Sequence, residues 1–547
     1  MKRKTMFALL IAVILLAALI VPAGAGRNDT SILASRLARP SLPEGGMATK
    51  RTVTPDVAGY LKQHGPHSQF DCTVDNTGEN INLDCDDIFP NNEPDIEVDP
   101  ADPGHMIVSS NDYSSCCDQF YTLIASAVPF WTTGNMSIKS PQVTGSDPVT
   151  VFDVKHGTAI HSSLNYSFQL PTGEACRGDV VVSVSTDGGI TWQPATVVDS
   201  GFGCDLSNSQ LFNDKEWIVT DNHPDSPYYG RTYLTWTKFI SAKGAYLSSP
   251  IYESHSDDGG KHWTKAQEIS GSNAALCTYQ ETGPAGQCDE NQFSVPTVGP
   301  DGTVYVAFEN DQNQSLWEAG EAFDSQYLLV KSTDGGATWS SPSFVAGLED
   351  GTADYPINVS GRQTLTGYQL RVNSAGNIVA SPTDGMLYLV FSDNRNGTHD
   401  SPNPVTNTDV FLMTSTNGGS SWNGPIPVDS AAGDQWFPWV DVNPVDGSIG
   451  IFYNDRGASN GAFYNAALTE IPGSKTIIST TPSDPTHSRW FRSGVVGCET
   501  CATFHGDYIN ISYGSDGVAN MAWTAIATSD LSDIPGLFYQ FIYYAKK

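Results

Sequence analysis

Short segments of alternating apolar and polar residues recur along the chain, each followed by a turn and a segment rich in β-branched and aromatic residues. Alternation with a period of two is typical of β-strands that bury one face. No amphipathic helical pattern of comparable length separates these units. The pattern therefore predicts an all-β chain built from repeated hairpins. Seven units are found, and their first strands begin at Pro94, Pro148, Trp217, Val295, Tyr368, Trp439 and Tyr508.

A second hairpin follows most units, and four of these hairpins share the turn motif Ser-x-Asp/Asn-x-Gly-x-x-Trp. The Asp or Asn side chain can accept backbone N–H bonds across the turn, while the glycine adopts a positive φ that a Cβ would oppose. The tryptophan then folds back as an apolar plug. Such hairpins need neighbours to bury their faces, and a ring of blades supplies them. The third position of the four motifs holds Asp187, Asp258, Asp334 and Asn417.

These four motifs resemble those of the Asp-box, or BNR-repeat, β-propellers, a group typified by sialidases. The resemblance covers about residues 90–547 and implies a β-propeller of four-stranded blades. It also implies that the box joins the two outer strands of a blade, so that its Asp or Asn is structural rather than catalytic. We expect seven blades, with six as the alternative if the segment around Pro148 is an insertion. The chain before Pro90 could close the ring.

The first 25 residues have the pattern of a secretory signal peptide. Basic residues at positions 2–4 precede a nearly unbroken apolar run at positions 7–21, and Ala23-Gly24-Ala25 offers a small-x-small cleavage site. An uncleaved membrane anchor is the alternative, but the run is short for a span of about 20 residues. We therefore expect a secreted protein, located extracellularly or at the cell envelope, with no membrane span once the signal is removed.

This N-terminus also sets the predicted domain boundaries. They are a signal peptide over 1–25, a partly flexible N-terminal extension over 26–89, and a propeller domain over 90–547.

Charge narrows the classes of partner. The chain has a formal net charge of −32, which approaches −35 without its first 25 residues. Nucleic acid and anionic membranes both require basic surface, so neither is an expected partner. An extracellular glycan or glycoprotein, a basic protein or a cation such as Ca²⁺ remains compatible with this charge. The acidity would also keep a secreted protein soluble, and the sequence does not indicate an oligomeric state.

Ten cysteines in an oxidising compartment predict disulfides. Proximity in sequence favours the pairs Cys72–Cys85, Cys176–Cys204 and Cys277–Cys288. Cys498 and Cys501 could brace a loop, or could form a redox or metal pair with His505 as a further ligand. No EF-hand spacing is present, and a Ca²⁺ ion near the acidic stretch 84–87 is only a weak hypothesis.

The resemblance to sialidases implies a set of catalytic and binding residues that this sequence contains only in part. Sialidases hold the sialate carboxylate with three arginines, whose guanidinium groups are rigid and permanently charged, and they use a tyrosine nucleophile. Where the first arginine would stand, this chain reads Glu93-Pro94-Asp95. A triad of Arg371, Arg395 and Arg456 is conceivable. Arg395 and Arg456 also end related Asp-containing segments, which favours structural Asp–Arg pairs.

The starts of the predicted inner strands are acidic with aromatic insertions, and they should converge on the central channel. Carboxylates there could act as acid, base or nucleophile on a neutral sugar, or bind Ca²⁺, or simply cap turns. Our catalytic candidates are Glu93, Asp147, Asp214 and Asp507. Our candidates for substrate binding are Tyr368, Arg371, Arg395, Trp436, Arg456 and His505. The remaining residues at these starts are Asp95, Glu216 and Asn291.

Two functions remain open from the sequence. The first is a secreted, sialidase-like propeller that engages glycans, with glycoside hydrolysis at the channel mouth as its candidate activity. The second is a non-catalytic extracellular propeller used for protein binding or envelope assembly. The sequence establishes no cofactor for either function, and Ca²⁺ is compatible with both.

Overall fold

The described residues of the computed structural model are 79–84, 91–112, 118–126, 128–139, 144–167, 177–202, 209–243, 245–279, 283–313, 325–351, 354–359, 361–399, 403–429, 431–457, 461–485, 504–528 and 538–547. They form seven antiparallel sheets and no helix. The sheets are the blades of a β-propeller, each with a path of four strands. The predicted all-β class and the count of seven blades are both confirmed.

The strands follow the chain blade by blade. Blade 1 contains β2 (Asn91–Val98), β3 (His105–Asp112), β4 (Asp118–Ile124) and β5 (Val128–Asn135). Blade 2 contains β6 (Thr144–Asp153), β7 (Thr158–Ser167), β8 (Arg177–Ser185) and β9 (Thr196–Asp199). Blade 3 contains β10 (Ser209–Thr220), β11 (Thr232–Ala242), β13 (Ile251–Ser256) and β14 (Gln267–Glu268), with β12 (Ala245–Ser248) beside β11. Blade 4 contains β15 (Asn291–Val298), β16 (Val304–Asn310), β17 (Gln326–Ser332) and β18 (Ser343–Gly347).

The last three blades continue this order. Blade 5 contains β19 (Ile378–Ala380), β20 (Leu387–Asp393), β21 (Asp409–Ser415) and β22 (Asn423–Pro427). Blade 6 contains β23 (Gln435–Val442), β24 (Ile449–Asp455), β25 (Asn465–Ile471) and β26 (Lys475–Ile477). Blade 7 contains β27 (Asn510–Tyr513), β28 (Ala519–Thr528), β29 (Phe538–Lys546) and β1 (Ile81–Asn82).

Strand β1 closes the ring. It pairs antiparallel with β29 through Ile81 opposite Tyr544 and Asn82 opposite Tyr543, so the first described strand completes the last blade. Chain preceding Pro90 therefore belongs to the ring, as the sequence allowed. The propeller begins at least as early as residue 81.

Each of the four Asp boxes contacts the blade that precedes its own. In blade 2, Ser185 Oγ donates to Asp187 Oδ1 over 2.8 Å, and Thr191 N donates to the same oxygen over 2.9 Å. Gly189 has a φ of 85°, and a Cβ there would lie 2.5 Å from Cδ1 of Ile107 in blade 1. The box carbonyls accept hydrogen bonds from the preceding blade in all four cases. The donors are Thr122 to Gly189, Thr158 to Gly259, Arg231 to Gly335 and Lys331 to Gly418.

Five inner strands share a β-bulge near their start. One residue in each bulge has a φ between 48° and 58°, which is unusual for a residue with a Cβ. The bulge turns this side chain toward the start of the channel, while the residue two positions later faces the channel interior. The five residues are Glu93, Asp147, Lys215, Phe293 and Phe437.

Blades 7 and 5 depart from this pattern. Gly506, with a φ of 90°, occupies the bulge position before β27, and a Cβ there would lie 2.8 Å from the backbone N of Glu93. In blade 5 the inner strand is β19, and the prediction of a strand starting at Tyr368 was wrong. Leu370 and Val372 are buried there as irregular chain, and the N–H of Val372 donates to Gln363 O rather than to a strand. The alternation of buried apolar side chains in this irregular segment therefore gave the same sequence pattern as a strand.

The predicted disulfide between Cys277 and Cys288 is confirmed. It braces the connection between blades 3 and 4. The other predicted pairs, Cys72–Cys85 and Cys176–Cys204, fall outside the described residues, as do Cys498 and Cys501.

Candidate functional site

Four acidic side chains from four blades meet where the inner strands begin. We call Glu93, Asp147, Asp214 and Asp507 the carboxylate cluster, and they come from blades 1, 2, 3 and 7. Glu93 and Asp147 are close enough that repulsion from Asp147 raises the pKa of Glu93. The backbone N of Asp507 donates to Glu93 Oε1 over 3.0 Å. All four predicted catalytic candidates therefore lie together, although they are up to 414 positions apart in sequence.

Asn111 ties the first two blades together inside the cluster. Its Nδ2 donates to Glu93 Oε2, while its Oδ1 accepts from the backbone N of Asp147 over 2.8 Å. Asn111 lies on β3 and is buried. One amide side chain thus fixes the relative position of two cluster members.

Arg371 is the guanidinium partner of the cluster. Its Nε donates to Asp507 Oδ1 over 3.1 Å, and its Nη2 forms an ion pair with Asp507 Oδ2. The guanidinium also lies 4.4 Å from the ring centroid of Phe504. Asn373 adds a donor to Asp507 Oδ1 over 3.2 Å. Arg371 therefore fixes the orientation of the Asp507 carboxyl group through a two-point contact.

Lys215 is a second cation in the cluster. It occupies the bulge position of blade 3, between Asp214 and Glu216, and is 7% exposed. Its Nζ lies 4.1 Å from the ring centroid of Trp217 and 3.6 Å from that of Tyr508, but has no hydrogen-bond partner among the described residues. The ammonium therefore rests on aromatic faces and faces the carboxylates through space. Burial lowers the pKa of Lys215.

The cluster holds protons at neutral pH. Burial, followed by repulsion from Asp147 and Asp507, raises the pKa of Asp214 to about 8. Burial is also the main cause that raises the pKa of Glu93 and of Asp147. Arg371 and Lys215 act in the opposite direction on Glu93 and Asp214. The site thus combines carboxyl groups whose pKa values are raised by burial with the ion pair between Asp507 and Arg371.

Two of the four carboxyl groups reach solvent. Glu93 and Asp147 are buried, whereas Asp214 and Asp507 are partly exposed. Both exposed groups line a narrow cleft with Lys215 and Phe293, and the cleft volume is about 10 Å³, enough for roughly one water. Asp214 and Asp507 are therefore the cluster members best placed to meet a ligand.

The aromatic candidates lie elsewhere. Trp436 is fully buried and packs on Tyr464, with 5.0 Å between ring centroids. Tyr464 Oη and His505 Nδ1 are hydrogen-bonded over 3.0 Å, and burial lowers the pKa of His505 to about 3. Tyr368 donates to Gly461 O over 3.3 Å. These side chains form a buried polar–aromatic seam outside the carboxylate cluster.

The three candidate arginines have three different carboxylate partners. Arg395 pairs with Asp393 and donates to Gly347 O, which joins blades 5 and 4. Arg456 pairs with Asp434 over 2.8 Å and lies 3.9 Å from the Tyr368 ring centroid. Only Arg371 contacts the carboxylate cluster. The other two have contacts of the kind expected for structural Asp–Arg pairs.

The remaining residues at the strand starts serve the framework. The Asp95 carboxylate accepts from Thr150 N and from Asn510 Nδ2. Asn291 donates to Cys288 O over 2.9 Å. Glu216 is fully buried, and burial raises its pKa well above the ordinary range.

An aromatic plug separates the cluster from the rest of the channel. It consists of Trp217, Trp439 and Tyr508, which occupy the position two residues after the bulge in blades 3, 6 and 7. The ring centroid of Trp217 lies 4.5 Å from that of Trp439 and 5.2 Å from that of Tyr508. Beyond the plug is a cavity of about 390 Å³, lined by all seven inner strands. The channel therefore has two chemically separate ends.

Sequence reasoning missed Lys215 and the bulge that turns it toward the carboxylate cluster. The available signal was the register of the strand starts, because Lys215 aligns with Glu93 and Asp147 once the five bulges are superposed. Sequence alone shows Lys215 as one residue of an acidic stretch. Its role in the cluster depends on which way the bulge turns it.

One further group of side chains in the described part of the chain could hold a metal ion. The ligand atoms of Glu349, Asp354 and His399 lie within 4.8 Å of one another, and His399 Nδ1 is paired with Asp354 Oδ1. The Ca²⁺ hypothesis at positions 84–87 reaches the described residues only at Asp84. That carboxylate instead accepts from Asn91 Nδ2 and from Ile542 N.

Comparison with protein families agrees with the architecture. The family model described as BNR/Asp-box repeat matches residues 183–194, which contain the first of the four boxes. This chain is a seven-bladed Asp-box β-propeller. No curated protein matches the sequence of the propeller.

Solved structures similar to the propeller include several enzymes. A protein of unknown function from Dyadobacter fermentans is 14% identical with a TM-score of 0.41, covering 75% of this chain and 96% of its own. A mutant NanB sialidase from Streptococcus pneumoniae is 10% identical with a TM-score of 0.39, covering 81% and 83%. An α-L-arabinanase from Penicillium chrysogenum is 14% identical with a TM-score of 0.39, covering 72% and 94%. At these values the likenesses carry no inference about activity.

The described part of the propeller contains no helical segment with the length and apolar character of a membrane span.

Proposed function

We propose that this propeller is a secreted protein that engages a glycan at the start of its inner strands and hydrolyses a glycosidic bond there. Asp214 and Asp507 are the reacting pair in this proposal. Glycosidic hydrolysis requires one carboxyl group that donates a proton and one carboxylate that acts as base or nucleophile. The observation that carries the proposal is that these two groups line one cleft in different environments, Asp214 with a pKa of about 8 and Asp507 ion-paired with Arg371.

Each member of the site has a distinct role. Asp214 donates its proton to the leaving oxygen, since its carboxyl group is protonated at neutral pH. Asp507, which is paired with Arg371, activates water or attacks the sugar carbon. Burial, with repulsion from Asp147 and Asp507, raises the pKa of Asp214 and so keeps its proton in place. Arg371 is already committed to Asp507, so a neutral sugar suits the site better than a sialate.

A panel of chromogenic glycosides tests the hydrolase proposal, with neutral pyranosides and furanosides beside one sialoside. We expect activity on a neutral glycoside, and a loss of at least about 100-fold in kcat for Asp214→Asn and for Asp507→Asn. Asp258→Asn is the matched control, because it makes the same change in an Asp box and Asn417 already occupies the equivalent position. Activity that persists in both site variants would refute the assignment.

The second candidate is a non-catalytic extracellular propeller that binds a protein or helps to assemble the envelope. The narrow cleft favours it, since about 10 Å³ holds a water but not a sugar ring. Absence of turnover on the whole panel, by wild-type protein that is folded, would support this candidate over the hydrolase.

Secretion rests on the signal-like pattern at residues 1–25. We expect the protein recovered from the medium of the producing cells to begin at Gly26, as read by N-terminal sequencing. Protein retained in the cell with its first residues intact would contradict secretion.

A further inference from the structure

The cavity at the other end of the channel has no part in the proposed function. It lies on the side of the Asp boxes, with Pro100, Pro382 and Pro444 near its mouth and the aromatic plug as its floor. Its volume of about 390 Å³ is within the range of small-molecule pockets. The volume is also far larger than the cleft at the carboxylate cluster. A ligand of modest size therefore fits here.

One wall of this cavity is acidic. Asp95 and Glu97 project from blade 1, and Asp441 projects from the corresponding strand of blade 6, so the acids flank blade 7. No lysine or arginine occurs among the described residues that line the cavity, and His223 is the one side chain there that can become a cation. Glu97 and Asp441 thus have no cationic neighbour among the described residues, in contrast to the carboxylate cluster.

Glu97 is the acid least committed to the protein. Asp95 accepts hydrogen bonds from Thr150 N and Asn510 Nδ2, and Asp441 accepts from Tyr513 N over 2.7 Å. No donor to the Glu97 carboxylate occurs within the described residues, although Glu97 faces the cavity. Burial, with repulsion from Asp95, Asp441 and Asp99, raises the pKa of Glu97 well above its ordinary value. A cationic group beside Glu97 would remove that repulsion.

The opposite wall and the floor have different chemistry. Valine side chains form the opposite wall, from Val151 in blade 2, Val219 in blade 3 and Val379 in blade 5. The floor presents the indole rings of Trp217 and Trp439. Aromatic faces attract organic cations, and the valines provide apolar contact. The cavity is therefore suited to a molecule that has both a positive end and a hydrocarbon body.

We propose that this cavity binds an alkylammonium group, with the ammonium between Glu97 and Asp441 and the alkyl chain against the valine wall. The chemistry is shared by a free aliphatic amine and by the lysine side chain of a partner. This site is independent of the carboxylate cluster, because the aromatic plug lies between them.

Isothermal titration calorimetry with n-hexylammonium chloride tests the proposal on the full chain. We expect saturable binding with one site per chain, and no detectable binding of 1-hexanol, which has the same hydrocarbon body without the charge. Nα-acetyl-lysine methylamide forms a second arm. If it binds as well as hexylammonium, the natural ligand includes a lysine side chain, and if it does not, a free amine is indicated.

Neutralising variants locate the site. Glu97→Gln should weaken hexylammonium binding at least 10-fold, and Asp441→Asn, which keeps an acceptor for Tyr513 N, should weaken it independently. Glu268→Gln is the matched control, because it removes the same charge from an exposed position outside the channel and should leave binding unchanged. Equal binding of 1-hexanol, wild-type affinity in both channel variants, or no saturable heat would each overturn the proposal.

Discussion

The two ends of the channel contain the same kind of side chain in opposite electrostatic settings. At the strand starts, Glu93, Asp147, Asp214 and Asp507 surround Arg371 and Lys215. On the Asp-box side, Asp95, Glu97 and Asp441 line a cavity without a neighbouring Lys or Arg among its described lining. Burial raises carboxyl pKa values at both ends. The comparison shows that burial raises the pKa of carboxyl groups at both ends. The two ends differ in whether Lys or Arg side chains lie among those carboxyl groups, and an end without them is the one suited to a cationic ligand.

Position in the repeat explains how one strand serves both ends. In blade 1 the bulge turns Glu93 toward the strand-start end, and alternation along the strand then directs Asp95 and Glu97 into the channel interior. Blade 3 follows the same register with Lys215, Trp217 and Val219. Substitution at equivalent positions of the repeat has therefore produced an ionic cluster, an aromatic plug and a half-acidic cavity.

The largest effect is expected from removing the cation of the ionic end. Arg371→Met would leave Asp507, whose side chain is only 11% exposed, without its partner, which should lower the free energy of unfolding by about 3–5 kcal/mol at pH 7. Urea denaturation measures this change. The double variant Arg371→Met/Asp507→Asn should recover part of the loss, because it also removes the uncompensated charge.

The other end provides the contrast for that experiment. Glu97→Gln replaces a carboxyl group that has a raised pKa and no internal cationic partner, so it should not lower stability at pH 7. A loss below about 1 kcal/mol in Arg371→Met, or a similar loss in both variants, would show that the two ends do not differ in charge compensation.

A smaller effect should appear in the pH dependence of Asp214→Asn. The folded-state pKa of Asp214 is about 8, raised above its ordinary value of 3.8. Between those values the folded protein retains a proton that the unfolded chain releases, so wild-type stability falls as pH rises. One proton corresponds to at most about 1.4 kcal/mol per pH unit. The Asn variant lacks this contribution and should gain stability relative to wild type between pH 5 and pH 8.

Denaturation at several pH values between 5 and 8 measures this difference. Asp334→Asn is the control, because its carboxylate has a pKa lowered to about 2, is ionised throughout that range and has no histidine among its hydrogen-bond partners. Its stability relative to wild type should not change with pH. A difference between Asp214→Asn and wild type that stays constant over the range would place the retained proton elsewhere.

Local motifs made the architecture readable from the sequence. Within an Asp box, Ser185, Asp187 and Thr191 bond to one another over a few residues, so their spacing specifies the turn without knowledge of the rest of the fold. Alternating strands then required a ring to bury both faces. Proximity in sequence was likewise sufficient to predict the disulfide between Cys277 and Cys288. Alternation of apolar residues was not sufficient to predict a strand at Tyr368, where buried apolar residues alternate along a segment that is not a strand.

The acidic strand starts were also visible in the sequence, including all four members of the carboxylate cluster. Their meeting point was only an inference from the ring. The sequence did not distinguish Arg371, which reaches Asp507, from Arg395 and Arg456, which join blades. That distinction depends on contacts between residues far apart in the chain.

By itself, then, the sequence determined the repeat, the Asp-box turns and the class of fold, because these depend on short-range hydrogen bonds and on periodic burial. Tertiary structure alone decided which charges share a site. Closing the ring brings Lys215 and Arg371 to one end of the channel and leaves Glu97 and Asp441, beyond the plug, without a cationic neighbour among the described residues. Electrostatic interactions depend on distance through space and on burial, and neither can be obtained from the order of the residues alone.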